Sequence, residues 1–356
     1  MQNNLSKKIV YLTVILLIAG LFFISDISLL EAKSTVGDPY YFLKKQLVWV
    51  AISIVALIFF AKIRLDRLKN LSFLFYFGSI VLLILVLIPG IGTQIWGARR
   101  WINLNGFTIQ PSEFAKISLL IYMAFLFTDE KKRDIKNFIT ITLPLFLLVV
   151  LEPDFGTAAI IIAIAFSIYF ISGAPIKKLL PTSLATILIG ILFIAIFPYR
   201  RKRVMALLDP FYDPLGDSYH VYQIVLTLAS GGMLGRGIGE SRQKYQYLPQ
   251  VTTDSIMAVI GEELGFLGLM VFIGLLMLFV IITFKIAKEK TDPLAKLISA
   301  GMGAWIGAQG LLNLSSIAIL LPLTGIPFPF ISYGGSSLLA LMIGIGLVIN
   351  VNNNLK

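Results

Sequence analysis

The sequence has no cysteine and a single histidine, His220. Without cysteine there is neither a disulfide nor a thiolate metal site, and one histidine excludes a multi-histidine centre. Charge is scarce too. Only 14% of residues are Asp, Glu, Lys or Arg, against about a quarter in soluble domains. There is no internal repeat and no low-complexity segment. No block of basic residues sits in a polar domain, so the net charge of +11 is not read as nucleic-acid binding. No G-x-x-x-x-G-K-[ST] is present, so ATP use is not indicated.

What is present is apolar. Hydrophobic residues make up 57% of the 356 positions, and the mean hydropathy is +0.88. One core cannot hide that much apolar surface, so the chain is expected to be an all-α polytopic membrane protein. A span needs about 20 apolar residues. Ten windows qualify: 9–28, 40–61, 71–88, 111–128, 136–151, 155–172, 180–198, 254–285, 296–321 and 332–351. The fifth and sixth are short and separated only by EPDFGT. Lys7 and Lys8 before the first window resemble a signal-peptide start, but no A-x-A site follows, so an uncleaved first span is expected. The chain reads as one transmembrane domain, 1–356, containing a long polar loop at 199–253.

Orientation follows the Lys/Arg bias. With both termini cytoplasmic, 17 Lys/Arg fall in inner segments and 12 in outer ones, seven of the latter in the 199–253 loop. Long loops translocate largely regardless of charge, so that basic outer loop does not reverse the assignment.

Four polar clusters then share the outer side. In GARRWINLNGFTIQPSEFAKI (97–117), Pro111 suits a first helical turn. Glu113 and Lys116 are three apart and can pair on one helix face, which reads first as a buried structural ion pair. In EPDFGT (152–157), Pro153 and Gly156 leave Asp154 at a turn, where an Asx turn or cap is the ordinary reading. In the long loop, 219–230 suits an amphipathic helix on the membrane. Gly231, Gly232, Gly235, Gly237 and Gly239 are interleaved with Arg236, Arg242 and Lys244. That pattern suits anion binding through backbone N–H groups, and equally a basic loop meeting anionic headgroups. GIPFPFISYGGSS (325–337) reads as structural. Within the ninth span Gln309 and Asn313 share a face and suit interhelical hydrogen bonding.

Together these segments resemble the SEDS (shape, elongation, division and sporulation) family, the RodA/FtsW-like proteins. The resemblance runs over nearly the whole chain: GARRWI, QPSEFAK, PDFGT, the LDP of 208–210, ASGGMLGRGIGESRQKYQYLP, TD followed by GEELGFLG, and LLPLTGIPFPFISYGGSS. It implies a peptidoglycan glycosyltransferase that polymerises lipid II into glycan strands at the outer face of a bacterial cytoplasmic (inner) membrane. It also implies a class B penicillin-binding protein as partner, the transpeptidase that crosslinks the strands. The family's essential acid falls on Asp254. Relatives usually carry E-A-H-T-D-F where this chain has QVTTDS, so Gln250, Thr252 and Ser255 depart from the pattern while Asp254 is kept. GARRW and SRQKYQYLP look more like the FtsW branch than the RodA branch, and the comparison favours Arg100 over Arg99 as the shared functional position.

Glycosyl transfer needs a base for the acceptor hydroxyl and cations for the departing pyrophosphate. Asp254 suits the base, although Thr252, Thr253 and Asp254 would also suit a helix N-cap. Arg100, Arg203, Arg242 and Lys244 are expected at the pyrophosphate. Glu113, Lys116, Asp154, Glu262 and Ser332 are expected in support. The chemistry admits a divalent cation (Mg2+ or Mn2+) that no motif demands. A flippase for lipid-linked sugars and a noncatalytic scaffold for the penicillin-binding protein stand as alternatives.

The eighth run, 254–285, would be ~48 Å long as a straight helix, well over the ~30 Å of a hydrocarbon core. It must tilt, or bend at Gly261, Gly265 or Gly268, and Asp254 is then expected near the outer interface. On a continuous helix Glu262 and Glu263 would point about 80° and 180° away from Asp254. Glu262 is therefore expected to line the same cavity, and Glu263 to be structural.

Overall fold

The fold was analysed in a computed structural model, which describes residues 2–95, 98–104, 107–178, 181–184, 188, 190, 198–245 and 248–354. Eleven α-helices are labelled here: α1 (Gln2–Val36), α2 (Tyr41–Lys62), α3 (Leu65–Leu87), α4 (Pro111–Phe127), α5 (Ile135–Leu151), α6 (Phe155–Ile171), α7 (Pro198–Leu208), α8 (Tyr219–Gly231), α9 (Ile256–Glu289), α10 (Pro293–Ile317) and α11 (Gly335–Asn354). Nine of the ten apolar windows coincide with helices, and the seventh, 180–198, lies largely outside the described residues. Among the described residues, five helices are long and apolar enough to cross a membrane: Asn4–Leu29, Tyr41–Lys62, Leu65–Leu87, Ile256–Glu289 and Gly335–Asn353. The chain is a polytopic helical membrane protein.

One departure from an all-helical chain follows α3. Strands β1 (Gly92–Ile95), β2 (Ala98–Leu104) and β3 (Phe107–Ile109) form an antiparallel sheet in the order β1-β2-β3. Trp101 pairs with Thr93, Ile102 with Ile109 and Leu104 with Phe107. The physical signal was in the sequence. WINL and FTI are β-formers around Asn-Gly, the pair that a two-residue hairpin favours. The β1–β2 register shifts between Thr93 and Gln94, which pair with Trp101 and Arg99, so Arg100 is the extra residue of a β-bulge and is set apart from Arg99 there.

Helix packing relies on small residues. A methyl on Gly346 would come within 2.5 Å of the Leu57 carbonyl oxygen, and one on Gly335 within 2.1 Å of the Trp49 ring. These positions let α11 lie directly against α2, as small residues do between membrane helices. At one end of the bundle the last turn of α11 ties the others together. Asn350 Nδ2 donates to the Phe60 and Ile63 carbonyls, and Asn352 Nδ2 donates to Ser6 Oγ. At the other end lie the sheet and the loops before α4, α6, α9 and α11.

Helix α9 is broken at Gly265 (φ +69°, ψ −171°). In an unbroken helix the N–H groups of Phe266 and Leu267 would donate to the carbonyls of Glu262 and Glu263. Here they donate to the Gly232 and Met233 carbonyls at 2.9 and 3.2 Å. The freed Glu262 and Glu263 carbonyls accept from the Arg236 and Gly237 N–H groups, both at 3.0 Å. The loop after α8 is thus spliced into the helix, and these four bonds pair the Phe266 and Leu267 N–H groups and the Glu262 and Glu263 carbonyls across the break. The lower part, 266–289, is ~36 Å long, which suits a hydrocarbon core. It exposes Phe266, Val271, Met277 and Ile281 along its length. Of the three glycines at which a bend was expected, Gly265 is the one with the left-handed backbone.

A methyl at Gly265 would meet the Gly235 amide nitrogen at 2.3 Å, whereas one at Gly274 would meet nothing within 4 Å. Gly265→Ala is therefore expected to cost at least about 2 kcal/mol. It should lower the thermal-unfolding midpoint in detergent, while Gly274→Ala should leave the midpoint unchanged.

Candidate active site

Where the sheet and the four loops meet, a cavity of about 410 Å³ opens, within the range of small-molecule sites. Its wall includes Arg100 from β2, Gln110, Arg200 and Arg203 from α7, His220 from α8, Asp254, Tyr333 and Ser337. Each is delivered by a different local feature. Arg100 sits at the bulge in β2, where it joins Trp101 in the cavity wall. Its Nε and Nη2 donate to the carbonyls of Glu152 and Pro153 at 2.9 and 2.6 Å, fixing the guanidinium against the turn between α5 and α6. Asp154 caps α6, its carboxylate accepting from the Thr157 N–H and hydroxyl at 3.0 and 2.9 Å. It also accepts from Gln110 Nε2 at 3.2 Å, so the cap expected for Asp154 doubles as an anchor for a cavity residue.

Asp254 lies in the turn before α9 and is 9% exposed. It does not cap the helix: Ser255 is the N-cap residue, and no side chain bonds the end. One carboxylate oxygen accepts from the Thr253 hydroxyl at 3.2 Å. Burial pushes this carboxyl up to about 6, against the Thr253 hydroxyl and the Arg203 charge that hold it down. Arg203 donates to the Leu323 carbonyl, and the Arg200 guanidinium lies 3.3 Å from the centroid of the Phe155 ring. His220 Nε2 is 2.8 Å from Ser255 Oγ. Burial, then the Arg203 charge, push the imidazole down to about 4, so it is neutral near pH 7. Behind Arg100, burial and the neighbouring Asp154 raise Glu152 to about 9, so that acid is also neutral. The cavity thus presents one carboxylate that titrates near neutrality and three guanidinium groups, a charge balance suited to an anionic substrate.

Sequence reasoning missed Arg200, His220 and Gln110 at this site. Arg200 carried a usable signal, since it lies one helical turn from Arg203 and i, i+3 residues share a face. Gln110 and His220 carried none.

Four expected members are elsewhere. Lys244 is held by Asp26 of α1 at 3.0 Å and by Glu263 at 3.3 Å. Burial pulls its ammonium down, but the two carboxylates outweigh that and raise it overall. Arg242 points to solvent, and only its backbone N–H, 3.4 Å from a Glu262 carboxylate oxygen, engages the cluster. Neither cation lines the Asp254 cavity, which corrects their expected place at a pyrophosphate. Glu262 does not line it either. Its carboxylate accepts from Ser230 Oγ at 2.8 Å and Ser241 Oγ at 2.5 Å, with Arg236 Nε at 3.8 Å. The reason is the splice at Gly265, which brings the glycine-rich loop down onto Glu262 and Glu263. Ser332 also lies outside the lining. Its hydroxyl accepts from the Phe328 N–H at 2.8 Å and shapes the loop before α11.

Glu113 and Lys116 form the buried ion pair expected of them, at 2.9 Å. Lys116 Nζ also donates to Gln309 Oε1 at 3.3 Å and sits 4.9 Å from the centroid of the Trp305 ring. Gln309 Nε2 in turn donates to the Pro327 carbonyl at 3.0 Å. The pair therefore supports the cavity from below, through α10.

Comparison with known proteins is consistent along the whole length. Residues 7–356 match the cell cycle protein family of FtsW, RodA and SpoVE. The chain is 34% identical over 345 residues to "Probable peptidoglycan glycosyltransferase FtsW" of Trichlorobacter lovleyi, covering 95% of this chain and 90% of that one. It is 33% identical over 353 residues to "Stage V sporulation protein E" of Bacillus subtilis, covering 97% and 96%. Among solved structures it superposes with a TM-score of 0.78 at 29% identity, covering 97% of each chain, on one described as "Structural coordination of polymerization and crosslinking by a peptidoglycan synthase complex". With the rod shape determining protein RodA of Thermus thermophilus the TM-score is 0.71 at 26% identity, covering 98% of this chain and 96% of that one.

The cavity and the Lys244 cluster separate by experiment. Lys244→Met strands two carboxylates, one of them fully buried, and is expected to cost about 3–5 kcal/mol of stability. The loss should appear in the thermal-unfolding midpoint, and Glu263→Gln added to it should recover part.

Proposed function

The chain belongs to the cell cycle protein family of FtsW, RodA and SpoVE, and on that premise we propose that its Asp254 cavity joins lipid II units into glycan strands at the outer face of the cytoplasmic membrane. It is a peptidoglycan glycosyltransferase of the FtsW-like branch, as its curated relatives are named. The observation that carries the site assignment is the composition of the cavity wall: one carboxylate raised to about 6 among Arg100, Arg200 and Arg203.

In this reading Asp254 takes the proton of the acceptor sugar hydroxyl as the bond from the donor sugar to its pyrophosphate breaks. A base with a value near 6 is largely ionised at neutral pH, yet more basic than an ordinary carboxylate, which is where general-base catalysis works best. Arg100 and Arg203 take up the charge that develops on the pyrophosphate, and Arg200 joins them. No second catalytic acid is needed, since pyrophosphate leaves readily. The neutral His220 cannot add a competing titration near pH 6.

Among the described residues no three His, Cys, Asp or Glu side chains cluster into a metal site. A Mg2+ or Mn2+ ion would therefore be held by Asp254 together with the substrate's own phosphates, as magnesium sites often are, and would add charge neutralisation there.

The likeness to a peptidoglycan synthase complex that coordinates polymerisation and crosslinking supports a class B penicillin-binding protein as partner. The Lys/Arg bias supports cytoplasmic termini and an outward-facing cavity. Polymerisation assays separate this reading from a flippase or a scaffold, neither of which requires a base. Purified with its partner and given lipid II in detergent, the wild-type protein should yield glycan polymer, and Asp254→Ala should lose about 100-fold or more. Equal polymer from Asp254→Ala would overturn the assignment.

The pH profile gives a second check. A raised carboxyl loses its charge as pH falls through its folded value, so activity should decline below about pH 6. Arg203→Ala removes a charge that favours ionised Asp254. It should move that acid limb to higher pH and lower the rate.

A further inference from the structure

Beneath the cavity, Asn313 on α10 is 2% exposed. Its Nδ2 donates to the Asp254 carbonyl at 2.9 Å and to the Ile326 carbonyl at 2.8 Å. Both partners only accept, so the amide must present its NH2 to them and turn Oδ1 away. That Oδ1 is buried, with no hydrogen-bond partner among the described residues. A buried amide oxygen left unmatched costs about 1–3 kcal/mol, so its surroundings matter.

Asn313 borders a void of about 10 Å³ whose wall also includes Asp254, Ser255, Ser316 and Thr324. That is roughly the room one water needs, and a buried water needs two to four polar partners. Ser316 Oγ and Thr324 Oγ1 lie 3.3 Å apart. Gly325 borders both the void and the main cavity, and a methyl built on it would stand 3.9 Å from Asp254 Oδ2. Asp254 likewise borders both spaces.

We propose that this void is a single-water site and that Asn313 is a positioning residue for Asp254. Asn313 holds the Asp254 main chain through Nδ2, and holds its carboxyl through a water donating to Oδ1 and to the carboxylate. The Thr324 hydroxyl supplies the third partner by donating to the water, while Ser316 Oγ donates to the Leu312 carbonyl at 2.8 Å. A donor on the protein side of the carboxylate stabilises its ionised form and keeps the cavity-facing side open to the acceptor hydroxyl. The proposal rests on Asp254 being the base.

Two variants test it in the polymerisation assay, with the full chain and its partner. Asn313→Ala removes both ties. Thr324→Val is isosteric, removes a wall hydroxyl and leaves the two carbonyl bonds of Asn313 intact. Asn313→Ala should lower kcat by about 100-fold, the scale on which small misplacements act, with little change in KM. Both variants should move the acid limb to higher pH, because the ionised carboxyl loses a donor.

An acid limb unmoved in both variants overturns the proposal. If Asn313→Ala does not fold, Thr324→Val decides alone. A high-resolution map of the wild type should show a solvent peak in the void, and its absence overturns the water whatever Asp254 does. Asp254→Asn, run alongside, separates the two failures. If it stays active, both the base assignment and this proposal fall. If it is inactive while the limbs stay put, only the proposal falls.

Discussion

A main-chain break inside a membrane helix has to be satisfied from outside that helix, and the outer half of this protein is arranged around how that is done at Gly265. Four hydrogen bonds replace the two the helix loses, and they come from the loop that follows α8. The consequence is geometric. The lower segment of α9 becomes a helix of membrane length, and the short upper segment is free to carry the turn with Asp254 to the cavity. The same loop, once spliced in, brings Arg236, Ser241 and Lys244 onto Glu262 and Glu263, beside Ser230 at the end of α8. Two acids that would be costly near lipid are thereby matched.

The polar groups of the outer half thus divide by purpose. Glu262 pairs with Arg236, and Glu263 and Asp26 share Lys244, and these pairs hold the loop down. Glu113, Lys116 and Gln309 form a second buried set that braces the loop before α11 from beneath. The cavity keeps what these sets do not neutralise: three guanidinium groups and one carboxylate whose burial leaves it weakly acidic. The proposed proton abstraction beside a departing pyrophosphate draws on that imbalance, which stands beside neighbouring charges paired elsewhere.

Membership of the family was legible in the residues, through the ordered motifs from GARRWI to GIPFPFISYGGSS. The choice of Asp254 as the proposed base came from that resemblance, since its place before a long apolar run suits a helix cap equally. Arg100 was separated from Arg99 by comparison and is separated again by its place as the extra residue of a β-bulge. Lys244 and Arg242 were misassigned for a definite reason. Basic residues among glycines suit an anion site and an internal ion pair equally, and spacing within the loop does not say which acids from α1 and α9 it will meet. Glu262 was misassigned because the angular argument assumed a continuous helix through Gly265.

By itself the sequence determined what depends on neighbours along the chain: apolar windows long enough to span, the caps and turns at Pro111 and Asp154, and the Glu113–Lys116 pair. The tertiary structure alone decided which of three glycines breaks α9, which cations face Asp254, and that Gln309 and Asn313 hold loop carbonyls as well as packing helices. Those outcomes rest on contacts between residues far apart in the chain, such as Asn313 with Asp254 or Lys244 with Asp26. Local periodicity carries no record of such contacts; only the packed bundle brings the groups within bonding distance.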